Sequence, residues 1–131
     1  MNIGEAARAS GVSAKMIRYY EQTGLIPAAG RSLSGYRLYG PKEVQTLRFI
    51  RRARDLGFPM EKVAELLALW QDRARASADV KLVAEAQVAA LAARIAEMQA
   101  MQATLRHLVQ ACAGDDRPEC PILADLGGGR I

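Results

Sequence analysis

Residues 14 to 26 read Ala14-Lys15-Met16-Ile17-Arg18-Tyr19-Tyr20-Glu21-Gln22-Thr23-Gly24-Leu25-Ile26, and this stretch decides the fold class. Ser13 just before it offers a side-chain oxygen to the unpaired N–H groups of a helix start, and Gly24 supplies a stop. Upstream, Ile3, Ala6 and Ala7 share one face of a short helix that Gly11 terminates. Helix, tight glycine turn, helix is the helix-turn-helix pattern.

Working outward, Gly30-Arg31-Ser32-Leu33-Ser34-Gly35 is turn chemistry, and Tyr36-Arg37-Leu38-Tyr39 alternates as a short strand does. A small β-hairpin wing is expected there. Gly40-Pro41 restarts a helix that carries Val44, Leu47 and Ile50 toward Gly57. A further helix opens at Phe58-Pro59-Met60 and runs through Val63, Leu66, Leu67 and Trp70, giving a second helix-turn-helix-like pair with Phe58 and Trp70 as core anchors.

From Asp79 to Ala111 no Gly or Pro interrupts the chain. Ala84, Val88, Leu91, Ile95, Met98, Leu105 and Val109 form an apolar stripe in steps of four and three that is broken at Gln102. Such a helix is roughly 50 Å long, more than a small domain covers, so a second copy of the same helix is the economical partner. The competing arrangement folds the helix back onto its own domain. After Cys112, Ala113-Gly114-Asp115-Asp116-Arg117-Pro118 turns the chain, and Pro121 opens one or two final helical turns. The expected fold class is all-α with a small β-hairpin wing.

The net charge of +4 is unevenly spread. Residues 1 to 60 hold ten Lys or Arg against four Asp or Glu, and the remainder holds eight against ten, so the halves carry about +6 and −2. A basic first module suits a polyanion, nucleic acid above all. The expected organisation is therefore a winged helix-turn-helix DNA-binding domain at 1–70, a linker at 71–78, a dimerisation helix at 79–111, a loop with a short helix at 112–126, and a disordered tail at 127–131. No run reaches the roughly twenty apolar residues of a membrane span, and the N-terminus lacks a signal-peptide order, so a cytoplasmic location is expected.

Lys15 and Arg18 lie one turn apart on the second helix, where both can enter a major groove while Met16 and Ile17 face inward. Arg31, Tyr36 and Arg37 in the wing suit clamping of the phosphate backbone, and Arg54 suits a phosphate contact from the second motif. Tyr19 and Tyr20 are adjacent and cannot both face DNA; the expectation is Tyr20 near a phosphate and Tyr19 in the core.

In a reducing compartment two cysteines are more often metal ligands or redox groups than a structural disulfide. Seven residues separate Cys112 from Cys120, with a Gly-Asp turn between them able to bring both sulfurs together. Two thiolates suffice for a linear site, and soft thiolates favour copper(I), with silver(I) or gold(I) by the same logic, whereas zinc normally takes four ligands. The resulting −1 site needs compensation, which the N-terminus of the helix begun by Pro121 can supply. A redox-reversible disulfide, half of a zinc site and two ordinary thiols stay open on the spacing alone. His107 is the lone histidine and is expected on the helix surface. No C-x-x-C, nucleotide loop or Ser/His/Asp set points to an enzyme.

Together, Ile17-Arg18-Tyr19-Tyr20-Glu21, Gly24-Leu25-Ile26, Gly35-Tyr36-Arg37 and the Gly57-Phe58 break resemble the MerR family of transcriptional regulators. The resemblance covers nearly the whole chain. It implies an antiparallel coiled-coil homodimer, a two-fold promoter site lying between promoter elements, and RNA polymerase engaged through distortion of an overlong spacer. Cys112-Ala-Gly-Asp-Asp with Cys120-Pro-Ile resembles the loop of the family's copper-efflux branch, which implies Cu(I) as effector and Cys112 and Cys120 as its ligands. Ser77 agrees, since divalent-metal members carry a cysteine there; by itself Ser77 is also expected as the N-cap of the long helix. The four-cysteine iron-sulfur branch does not fit two cysteines. Some copper sensors of the family end in a Cys- and His-rich tail, and Gly127-Gly128-Gly129-Arg130-Ile131 departs from that pattern.

Overall fold

A computed structural model of the chain describes residues 1–31 and 37–128. Helix α1 (Ile3–Ser10) is closed at both ends by local chemistry. Asn2 and Glu5 form a reciprocal capping box at its start, and Gly11, at φ 77°, returns its N–H to the Ala7 carbonyl. Helix α2 (Ala14–Gln22) begins where Ser13 Oγ accepts the Met16 N–H at 3.2 Å. Gly24 at φ 77° then turns the chain away, with the Leu25 N–H on the Tyr20 carbonyl. Buried Ser10 is satisfied by the Val12 N–H at 3.1 Å.

The wing is a minimal antiparallel pair, β1 (Gly30–Arg31) and β2 (Arg37–Leu38), with Gly30 opposite Leu38 and Arg31 opposite Arg37. Tyr36 lies outside the described residues. Tyr39, just past the wing, is buried; its hydroxyl donates to Glu21 Oε1 and its N–H donates to the Met1 carbonyl, which ties the wing base to α2 and the N-terminus.

Pro41 opens α3 (Pro41–Asp55), and Pro59 caps α4 (Met60–Gln71). One core joins them to α1 and α2, with Ala6, Ile17, Leu47, Ile50 and Val63 fully enclosed. Phe58 is buried as expected, whereas Trp70 is half-buried, stacked on Phe49 with centroids 4.5 Å apart.

Helix α5 runs Ser77–Ala111, two residues earlier than the sequence pattern suggested. Ser77 is thus the first residue of the helix rather than its N-cap, and the linker shortens to residues 72–76. The chain divides into two compact units, Met1–Gln87 and Val88–Ile131. The first compact unit takes in the first turns of α5, where Val83 packs into the N-terminal core. In the second unit the apolar stripe is open to solvent, with Val88 67 % and Val109 60 % exposed. Helix α6 (Pro121–Leu126) follows the cysteine loop. Of the expected tail, Gly127 and Gly128 form a turn, and residues 129–131 lie outside the described residues. Among the described residues no helix is long and apolar enough to cross a membrane.

Candidate functional site

Cys112 stands one residue beyond α5, its N–H on the Val109 carbonyl at 3.2 Å. Cys120 occupies the N-cap position of α6, with Pro121 as the first helical residue, an arrangement favoured because proline lacks the N–H that a first turn leaves unpaired. Between them Gly114 adopts a φ of 67°, and Asp115 accepts both the Arg117 N–H and its Nε–H at 2.9 Å, with Nη2 at 2.7 Å from Oδ2. These bonds hold the Asp115 carboxyl below its usual range and close the loop on itself.

The two sulfurs come to 3.9 Å of each other, both half-buried. A disulfide would bring them to about 2.05 Å, so both are free thiols. The Leu123 N–H lowers the Cys120 thiol pKa most; partial desolvation opposes it, and the Ile122 N–H and Cys112 add to the lowering. The α6 N-terminus thus favours the thiolate, the form that binds metal. At about 2.3 Å per metal–thiolate bond, two sulfurs can stand up to ~4.6 Å apart around one ion, and a separation of 3.9 Å is within that reach. The pair fits a single soft ion on chemistry and on span. Among the described residues no group of three or more His, Cys, Asp or Glu converges, and His107 is exposed on α5. Ser77 belongs to the other unit and is exposed at the start of α5.

The residues expected to meet nucleic acid centre on α2. Lys15 and Arg18 point outward from it, as the spacing required. The tyrosine assignment reverses: Tyr19 is 51 % exposed and Tyr20 only 5 %. Tyr20 lies one turn beyond Ile17 and follows it into the core, whereas Tyr19 lies one turn beyond Lys15 and shares its face. Burial accordingly pushes the Tyr20 hydroxyl up, against an opposing pull from Arg54. Met16 is likewise exposed, not inward, since it neighbours Tyr19 on that outer face. Arg31 and Arg37 are paired in the backbone register of the two strands. Arg54 is exposed and donates from Nη1 to the Phe58 carbonyl at 3.0 Å, so it ties the α3–α4 turn.

Two arginines of α3 escaped the sequence pattern. Arg48 Nε donates to the Ala9 carbonyl at 3.0 Å, and Arg51 Nη1 donates to the Gly11 carbonyl. They bind the open carbonyl end of α1 and the turn that aims α2. Forty residues of separation leave no local signal for such a contact.

Residues 1–70 match the family description "MerR HTH family regulatory protein", and residues 44–108 match "MerR, DNA binding". Over 129 residues the chain is 60% identical to the heavy metal-dependent transcription regulator 2 of Rhizobium meliloti, covering 98% of this chain and 88% of the relative. Identity to the HTH-type transcriptional regulator CueR of Salmonella typhimurium is lower, at 41% over 128 residues, covering 98% of this chain and 93% of the relative. The likeness shown is thus to heavy metal-dependent regulators, a broader group than the expected copper branch. In three dimensions the chain is similar to the transcription regulator PbrR691 of Ralstonia metallidurans CH34 in complex with lead(II), with a TM-score of 0.82 and 30% identity over 96% of this chain and 98% of that one.

Proposed function

The chain belongs to the MerR family of transcriptional regulators, and from that premise we propose that it is a heavy metal-responsive activator switched by one soft monovalent ion. The ion is copper(I) first, with silver(I) or gold(I) by the same chemistry, and its ligands are Cys112 and Cys120. The observation that carries this reading is the convergence of the two sulfurs to 3.9 Å, with the Cys120 thiolate favoured by the N–H groups of α6. Two soft ligands suit a monovalent ion and leave a four-coordinate divalent ion under-ligated. Serine at position 77 is consistent with that preference. The likeness to a lead(II) complex supports a metal-responsive fold, and the ligand set is what argues against lead here.

The protein acts in the cytoplasm as a homodimer, joined through the exposed stripe of α5, on a two-fold promoter site. Lys15, Arg18 and the outer face of α2 read the major groove, and Arg31, Tyr36, Arg37 and Arg54 serve the phosphate backbone. The metal acts by binding one dimer conformation more tightly than the other, which changes the relation of the two DNA-binding domains and lets RNA polymerase engage a distorted promoter. Cys112→Ser and Cys120→Ser test this: each is expected to abolish metal-dependent transcription while promoter affinity stays near that of the unchanged chain. Loss of DNA binding in both would make the cysteines structural. A thiol-disulfide switch draws on the same close sulfurs, and titration with Cu(I) under strict reduction separates the two, since a redox switch takes up no stoichiometric metal.

A further inference from the structure

The first turns of α5 rest on the α3–α4 turn through two kinds of contact. One is apolar: Val83 is buried in the core, and Val80 lines a groove with Leu56, Phe58, Leu66 and Trp70. The other is polar: Gln87 Nε2 donates to the Leu56 carbonyl at 3.1 Å. Leu56 ends α3, and its carbonyl is one of the acceptors that a helix C-terminus leaves without an intrahelical donor. A carbonyl only accepts, so the amide nitrogen of Gln87 is the atom that faces it.

The two contacts constrain different motions. Apolar packing resists separation but lets a helix roll or slide, because dispersion and burial are non-directional. A hydrogen bond weakens steeply off-axis and so fixes rotation and register. Gln87 is half-buried while residues 88 to 107 of α5 are exposed. It is the last residue of α5 within the first compact unit. On the other side of Leu56, Arg54 bonds the Phe58 carbonyl across the same turn, and its charge pulls the Tyr20 hydroxyl pKa down against the larger upward push of burial.

We infer that Gln87 is a positioning residue that pins α5 to the α3–α4 turn, so that a displacement of the long helix reaches the DNA-reading elements and is not lost as a roll at the top of that helix. This rests on the proposed function, in which the cysteine loop at the far end of α5 takes the effector. Gln87 touches neither metal nor DNA in this scheme. It sets how faithfully one end of α5 reports to the other.

The test uses the full-length, reduced dimer and two substitutions. Gln87→Glu keeps shape and removes the donor, and Gln87→Lys keeps an N–H donor on a chain long enough to reach. Promoter affinity without metal, Cu(I) uptake, thermal stability and Cu(I)-stimulated transcription are measured for each. Gln87→Glu is expected to bind promoter and copper as the unchanged chain does while its metal-induced rise in transcription falls about two- to ten-fold, the range one hydrogen bond of this kind supplies. Gln87→Lys is expected to retain the response. Three results overturn the coupling alone: a full response in Gln87→Glu, a parallel loss of DNA binding or stability, or a Gln87→Lys variant that fails equally. An unchanged chain without any copper response overturns the proposed function, and the coupling with it.

Discussion

Replacing Gly11 and Gly24 by alanine, one at a time, probes the helix-turn-helix with an internal control. Both residues hold φ at 77°, in the left-handed region where a Cβ costs about 1–2 kcal/mol. At Gly24 an added Cβ meets nothing within 4 Å, so that strain is the whole cost. At Gly11 the same atom falls 3.0 Å from Arg51 Cζ and 3.1 Å from Cδ. The guanidinium is the far end of a flexible side chain and can withdraw, but in doing so it leaves the Gly11 carbonyl. That bond is solvent-exposed, which limits its worth to about 1 kcal/mol. Urea unfolding at fixed protein concentration is therefore expected to show Gly24→Ala losing about 1–2 kcal/mol and Gly11→Ala about 2–3 kcal/mol. Adding Arg51→Ala to Gly11→Ala should cost less than the two single losses combined, by about 1 kcal/mol of coupling. Equal losses at the two glycines, or strict additivity with Arg51→Ala, would refute the role given to Arg51 in holding the turn.

Three further outcomes follow from the site geometry. Alkylation of Cys120 against pH should show a midpoint below the ordinary thiol value of about 8.5. Because the folded state depresses this pKa, the associated stabilisation is complete above the ordinary thiol value and is lost as pH falls through the folded one; copper affinity should weaken over that same descent, and a midpoint at or above the ordinary value would contradict the role of the α6 N–H groups. Tyr20→Ala should cost about 3–5 kcal/mol in unfolding, whereas Tyr19→Ala should change stability by under about 1 kcal/mol and instead weaken promoter binding in fluorescence anisotropy; the reverse pattern would place Tyr19 in the core and Tyr20 toward DNA. Ser77→Cys should extend the transcriptional response toward divalent ions, and an unchanged metal profile would remove Ser77 from selectivity.

Local chemistry made much of the fold legible in the sequence. Ser13, Gly11, Gly24 and Pro41 act on the backbone within a turn of themselves, and each sits at the helix boundary it implied. Periodicity placed Val44, Leu47, Ile50 and Val63 in the core, because buried residues must recur on one face. The errors arose where the choice lay between adjacent positions. Tyr19 and Tyr20 have the same chemistry, and the decision belonged to Ile17 three residues back, a stronger core anchor than the pliable Met16. Long-range contacts were invisible for a different reason. Arg48 and Arg51 reach the end of α1, and Gln87 reaches Leu56, through geometry that exists only once the helices have packed. The metal pair stands between these cases. Its spacing and the intervening Gly-Asp turn allowed convergence, and the sulfur separation and the bonding within the loop came from the structure.

The most direct measurement is X-ray absorption of the reduced protein loaded with Cu(I) in the presence of promoter DNA, with the bound metal counted in the same sample. One copper per chain, held by two sulfurs and no further protein ligand, is the expected result. No stoichiometric uptake, or a copper surrounded by three or more protein ligands, would contradict a switch built on Cys112 and Cys120 alone.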